Sequence, residues 1–431
     1  MKHTQANESN NDNRDESSYS RREVLKMAAL AGTGIVVGMS GMASIFAINN
    51  GLKANRLVNP VLEDTQPETV NKDAIPFYGA RQAGIGTPQQ MYMCFAAFDI
   101  ISDNVETLKQ LLKLWTDYSA DMTAGRALRE TNGQQQVNST EENSISSSAK
   151  LTITLGFGST LFTRNGVDRF GLGSHRPDEL KDIPSMPGET INAQISGGDI
   201  CIQVCSNDPT IAFYVIRNLA AVSIEMAVIR WIQTGFIDAS DGQTPRNLFG
   251  FKDGTANIEL ANEQGKEDHV WVDSSKGPAW MTNGTYLVAR KIRMDLEKWE
   301  QTLVRKQEAI FGRWKNSGAP FGKQDEFDAV SMREIPSDSH VWLARSVGTK
   351  ILRRSYSYFE GIDPMTHNLN AGLFFISFQQ SVRKQLVPML SLLATHDALN
   401  PFISTVSSSV FACPPGAGEG GFIGEQLFKV K

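Results

Sequence analysis

Three stretches of the chain carry side chains of the kind that move protons, bind metals or steady charge. The segment Asn247-Leu248-Phe249-Gly250-Phe251-Lys252-Asp253-Gly254-Thr255-Ala256-Asn257 sets one carboxylate, Asp253, among glycines. Such a pattern is first of all a turn. A carboxylate shown on a turn is also a group that can take up and return a proton while it is ionised, with an ordinary pKa of ~3.9. Six histidines occur, so an imidazole ligand has few candidates. His3 lies in the leading tail, His175, His269 and His396 sit in polar, loop-like contexts, and His367 falls in a hairpin turn. His340 follows Pro336-Ser337-Asp338-Ser339 and precedes Val341-Trp342-Leu343-Ala344, the pattern of a short helix or turn that lines a pocket. A lone histidine is more often a surface or satisfied core residue. In Ile351-Leu352-Arg353-Arg354-Ser355-Tyr356-Ser357-Tyr358 the two arginines face opposite sides of a strand. One can then reach a buried pocket while the other stays solvated; a basic pair flanking a strand also needs no function.

The elements that must position these groups follow from periodicity. At 431 residues the chain exceeds one typical domain. In the first half, residues 91–100, 151–155, 199–206 and 228–235 read as strands, and 104–122 and 209–226 as helices. A polar insertion, 129–148, lies between them. The second half repeats the order. Strands are expected at 285–294, 350–358 and 372–379, a helix through Leu296, Trp299 and Leu303, a second helix over 382–395, and a closing strand over 405–413. Each half is a β-α-β-β-α-β, ferredoxin-like unit. Two such units predict an α+β architecture with antiparallel sheets and helices on one face. The expected boundaries are a signal region over 1–52, a linker and lead-in loop over 53–89, an N-terminal unit over 90–245 and a C-terminal unit over 246–431.

Hydrophobic residues make up 41% and charged residues 21%, an ordinary globular balance, and the net charge of −5 argues against nucleic acid. The spacing of Cys94, Cys201, Cys205 and Cys413 matches no zinc or disulfide framework. Cys201 and Cys205 would share one strand face roughly 13 Å apart, too far for a bond. Residues 20–26, Ser-Arg-Arg-Glu-Val-Leu-Lys, resemble a twin-arginine export signal, and an uncharged Gly- and Ala-rich stretch runs from Met27 to Leu52. That route carries folded proteins, often with a cofactor already inserted, across the membrane through the twin-arginine translocase. A simple membrane anchor is the alternative, and cleavage or retention of the segment stays open.

The Gly250, Asp253, Gly254 pattern, the Ser339-His340 segment running into Leu343-Ala344, and the Leu352-Arg353-Arg354 segment together resemble the dye-decolourising peroxidase family, over nearly all of residues 75–425. The resemblance leans to its exported, iron-uptake-linked deferrochelatase/peroxidase branch. It implies haem b in the C-terminal half, with His340 as axial ligand of the iron and Asp253 and Arg353 as catalytic residues. It also implies haem contacts from Gly254, Thr255, Ala256, Arg345, Ser346, Val347 and Arg353. The implied partners are hydrogen peroxide, ferrous iron or haem, a membrane iron permease with an iron-binding lipoprotein, and a second copy of the chain. The implied activity is peroxide-dependent oxidation of ferrous to ferric iron; the alternatives are release of iron from haem with the porphyrin intact, or a non-enzymatic haem-binding protein. One position departs from the family: Asn370 stands where many members have an acidic residue that accepts a hydrogen bond from the axial histidine.

Overall fold

A computed structural model of the protein describes residues 74–126, 149–238, 243–364 and 366–429, all within one unit spanning Glu68–Lys431. The expected signal region, most of the linker and the polar insertion lie outside the described residues.

The first half runs β1 (Tyr92–Ile100), α1 (Val105–Thr123), β2 (Thr152–Gly158), β3 (Ile200–Ser206), α2 (Pro209–Val222) and β4 (Ala227–Phe236). The Asn104 side chain accepts from Glu106 N to start α1, and Leu108, Leu111, Leu112 and Trp115 then fall on its buried face. Asp208 caps α2 in the same way, with Pro209 in the first turn, where its missing N–H costs nothing. The second half runs β5 (Thr285–Met294), α3 (Leu296–Glu300), α4 (Val304–Phe311), α5 (His340–Ser346), β6 (Leu352–Arg353), β7 (Tyr356–Ile362), β8 (Leu369–Gln379), α6 (Val387–His396) and β9 (Ile403–Cys413). The strand orders β2-β3-β1-β4 and β9-β5-β8-β7 are the same pattern, so the chain is two ferredoxin-like units with antiparallel sheets.

The two sheets also join at both edges. Phe157 and Gly158 of β2 pair with Ala412 and Phe411 of β9, and Phe236 of β4 pairs with Ser357 of β7. The strands thus close into a ring with one core inside it and others between its outer face and the helices. Cys94, Ala96 and Phe98 of β1 pack outward with α1 and α2. Met93, Phe95 and Ala97 point inward to Trp231, Phe374 and Phe411, and Phe95 stacks on Trp231 at 5.3 Å. All four cysteines are buried and free. Gly156 keeps the seam open: a Cβ there would stand 2.9 Å from Cys201 Sγ and 3.0 Å from Cys413 Sγ.

Four expectations need correction. The helix through Leu303 is two helices, and Leu303, at the start of α4, is 80% exposed. The strand over 350–358 breaks at Arg354 and Ser355 into β6 and β7. The helix over 382–395 opens with a wide π-turn at Val382–Leu386 before α6. Pro388, lacking an N–H, cannot donate back into a regular turn there. Finally, Arg354 is not solvated but 2% exposed. The side of β6 opposite Arg353 faces the interior of the ring, where residues 82–90 plug one end. Gln82 brackets Leu155, donating to its carbonyl at 2.9 Å and accepting from its N–H at 2.8 Å. Arg354 donates to Thr87 O, and to Gln90 Oε1 at 2.8 Å.

Candidate active site

The loop 247–257 is shaped by its own side chains. Asn247 Oδ1 accepts from Phe249 N at 3.1 Å and Phe251 N at 3.2 Å. Gly250 (φ +84°) and Gly254 (φ +128°) take backbone angles that other residues resist. Asp253 N donates to Pro245 O at 2.8 Å. Its carboxylate Oδ1 accepts from Arg353 Nη1 at 2.8 Å. Asn257, at the end of the same loop, accepts from Arg353 N at 2.9 Å and donates to Arg353 O at 2.7 Å. This amide does the work of a neighbouring strand, so one loop fixes both partners of the Asp253–Arg353 pair.

His340 begins α5 and opens into the same cavity. Its Nδ1 lies 2.6 Å from Asp397 Oδ2, while Asp397 Oδ1 accepts from Leu399 N at 2.9 Å. The Asp397 carboxylate is 1% exposed. Burial pushes the His340 pKa down, but the charge and hydrogen bond of Asp397 outweigh it and leave the pKa raised. With Nδ1 tied, Nε2 is the nitrogen left to bind a metal. Asn370 is not the histidine's partner: its Nδ2 donates to Glu360 Oε2 at 3.2 Å on the outside of the sheet. Asp397 supplies the carboxylate instead, so the expected loss of charge beside His340 does not occur.

The cavity measures about 530 Å³. Phe251, Phe311, Leu373, Phe375, Met389 and Leu390 give it apolar walls, and Lys252, Arg313, Arg345, Lys350 and Arg353 give it cations. Arg313 is held below its ordinary pKa by burial, and then by Arg345 and Arg353. Of the residues expected to contact haem, Gly254, Thr255, Ala256, His340, Arg345 and Arg353 line the cavity. Ser346 and Val347 are not among its lining residues; Gly348, Thr349 and Lys350 take that stretch of wall. Met186, Pro187, Gly188 and Glu189 come from the first half, so the second half does not build the cavity alone. Glu189 forms an ion pair with Arg290 there.

Sequence reasoning missed Asp397. It caps the C-terminal end of α6, where the helix dipole disfavours an anion. A carboxylate at such a position calls for a partner, and that was the available signal. Glu326 was missed as well, within a polar run.

This donor set fits a haem: a roomy apolar cavity, cations for propionates, and one histidine with a free nitrogen backed by a carboxylate. With an Asp–Arg pair in the same cavity, the fold and site are those of a haem peroxidase. The chain belongs to the Dyp-type peroxidase family, whose N-terminal domain matches residues 82–237 and whose C-terminal domain matches residues 244–418. It is 34% identical over 406 residues to the deferrochelatase of Yersinia pestis, covering 89% of this chain and 92% of that one. The deferrochelatase of Escherichia coli (strain K12) is 31% identical over 431 residues, covering 95% and 97%. Among solved structures, ferric DtpA from Streptomyces lividans superposes with a TM-score of 0.76 at 30% identity, covering 85% of this chain and 100% of that one. A DyP-type peroxidase from Cellulomonas bogoriensis gives 0.75 at 30% identity, covering 83% and 98%.

Proposed function

We propose that the protein is an exported haem b peroxidase that reduces hydrogen peroxide to water at the expense of ferrous iron. Each peroxide takes two protons and two electrons and leaves two ferric ions. Haem, held by His340 and the cations of the cavity, would supply the redox chemistry that couples O–O cleavage to oxidation of the reductant. The chain's own residues manage position, protons and charge. Asp253 Oδ1 is occupied by Arg353, so Oδ2 is the atom that takes a proton from one peroxide oxygen and returns it to the other. The Arg353 guanidinium steadies negative charge on the leaving oxygen. Asp397 holds His340 as an Nδ1–H donor, which presents Nε2 to the iron and makes the ring more basic.

The observation that carries this reading is the 2.8 Å Asp253–Arg353 contact in the cavity that holds His340. A haem carrier has no use for an acid–base pair. The test is to mix haem-loaded protein with peroxide and ferrous iron and compare the rate with that of peroxide and ferrous iron alone, which react unaided. A protein-dependent acceleration with two ferric ions per peroxide is expected; a rate equal to the protein-free control would refute the reading. The names of the curated relatives favour a second reading, release of iron from haem with the porphyrin intact. Fluorescence of metal-free porphyrin on incubation with a reductant would favour it over the first. Export rests on Arg21 and Arg22 ahead of an uncharged stretch; the resemblance to the iron-uptake-linked branch adds a membrane iron permease and an iron-binding lipoprotein as receivers of the ferric iron.

A further inference from the structure

The stretch Ser317-Gly318-Ala319-Pro320-Phe321-Gly322 and the polar run after it contribute neither ligand nor acid–base group. They lie instead behind the loop that carries Asp253. Arg313, 6% exposed, donates through Nη1 to Gly318 O at 2.6 Å and to Glu326 O at 2.8 Å, stapling the two ends of this segment together. Glu326, 8% exposed, turns its carboxylate to the loop. Its Oε1 accepts from Lys252 Nζ at 2.5 Å and its Oε2 from Thr255 Oγ1 at 2.9 Å. Those two partners lie one residue before and two residues after Asp253. Gly318 opens the path for Lys252, since a Cβ at Gly318 would meet Lys252 Cδ at 2.7 Å. Arg246 adds a second tie, donating to Gly250 O at 2.8 Å and to Lys315 O at 2.7 Å.

We infer that Glu326 is a positioning residue: it braces the Asp253 loop and draws the Lys252 ammonium away from Asp253, leaving that carboxylate to Arg353. Lys252 precedes Asp253 directly and also lines the cavity. Released from Glu326, its ammonium competes with the Arg353 guanidinium for the Asp253 carboxylate. The loop with its two left-handed glycines would also lose the support on either side of Asp253. Both effects move the proton-handling group off its place. A misplacement of about 1 Å can cost on the order of 10²-fold in rate.

The inference rests on the reading of Asp253 as the proton-handling residue, and the experiment separates the two. Haem-loaded, full-length wild type, Asp253→Asn, E326Q, Thr255→Val and the double variant E326Q/K252M are compared in two ways. One is the rate of the peroxide-dependent change of the Soret band; the other is hydrogen exchange at the amides of residues 251–257. E326Q should slow the peroxide reaction by roughly 10- to 100-fold and speed exchange in the loop. Thr255→Val, which removes one bond and no charge, should do both to a smaller degree, and it decides the matter alone should E326Q fold poorly. The double variant lacks the competing ammonium and should react faster than E326Q. A role in packing alone would leave the double variant as slow as E326Q or slower, and that result overturns the inference. So do wild-type rate and exchange in both E326Q and Thr255→Val while Asp253→Asn is slow. A wild-type rate in Asp253→Asn would instead remove the reading beneath it.

Discussion

Asp397 Oδ2 lies 2.6 Å from His340 Nδ1, and the same carboxylate is fixed from its other oxygen by Leu399 N at 2.9 Å. A carboxylate held at both oxygens and 1% exposed cannot turn away from the imidazole. The ring is therefore set in one tautomer and one orientation before any metal arrives. The two residues are 57 positions apart, on the first turn of α5 and just past the last turn of α6. The packing of those two helices thus places His340.

Replacing Asp397 by Asn keeps the shape and removes the charge. Haem affinity or peroxide reactivity should fall by about 10- to 100-fold, and the haem reduction potential should rise as the imidazole becomes a weaker donor. Spectroelectrochemistry of the variant checks this. An unchanged potential with unchanged affinity would mean that Asp397 orients His340 without tuning it.

Arg353→Leu should slow the peroxide reaction more than Asp253→Asn, with haem retained in both. Losing one preorganised charge-stabilising donor typically costs on the order of 10²–10³ in rate. Acid–base help is worth about 10²–10⁴, but water can partly stand in for a carboxylate as a proton shuttle. Stopped-flow mixing with peroxide gives both rates. If only the Asp253 variant is crippled, proton transfer limits the reaction and the ranking is wrong.

Arg354→Leu should destabilise the fold by about 3 kcal/mol, because Thr87 O and Gln90 Oε1 would be left buried without their donor. The plug at residues 82–90 should loosen first. Thermal unfolding and proteolysis near that segment report it. A melting temperature equal to that of the wild type would show that the plug holds without the arginine.

Much of the frame was legible in the sequence, for identifiable reasons. Alternation placed Arg353 and Arg354 on opposite sides of a strand, and helical spacing of apolar residues placed the helix that carries Leu108, Leu111, Leu112 and Trp115. The burial of Arg354 was not legible. It follows from ring closure, which rests on two residue pairs between β2 and β9 and one between β4 and β7. Contacts so few leave no periodic trace. Asp253, His340 and Arg353 stood out only through their resemblance to a family pattern. Asp397 and Glu326 act through partners 57 and 74 positions away, and no local spacing connects them. The resemblance set the acidic partner of His340 at position 370, where Asn370 instead faces Glu360.

Changing Arg21 and Arg22 together to Lys should hold the protein in the cytoplasm, folded and loaded with haem. The pair stands ahead of an uncharged stretch, and cell fractionation with a haem stain locates the product. Normal export of the double variant would point to another route.

The absorption spectrum of purified protein, wild type beside His340→Ala, tests the central claim most directly. The wild type should show a ferric haem Soret band, and the variant should lose most of its haem, because His340 carries the free Nε2 beside the buried Asp397. Full haem retention with an unchanged iron spin state in His340→Ala would contradict the account.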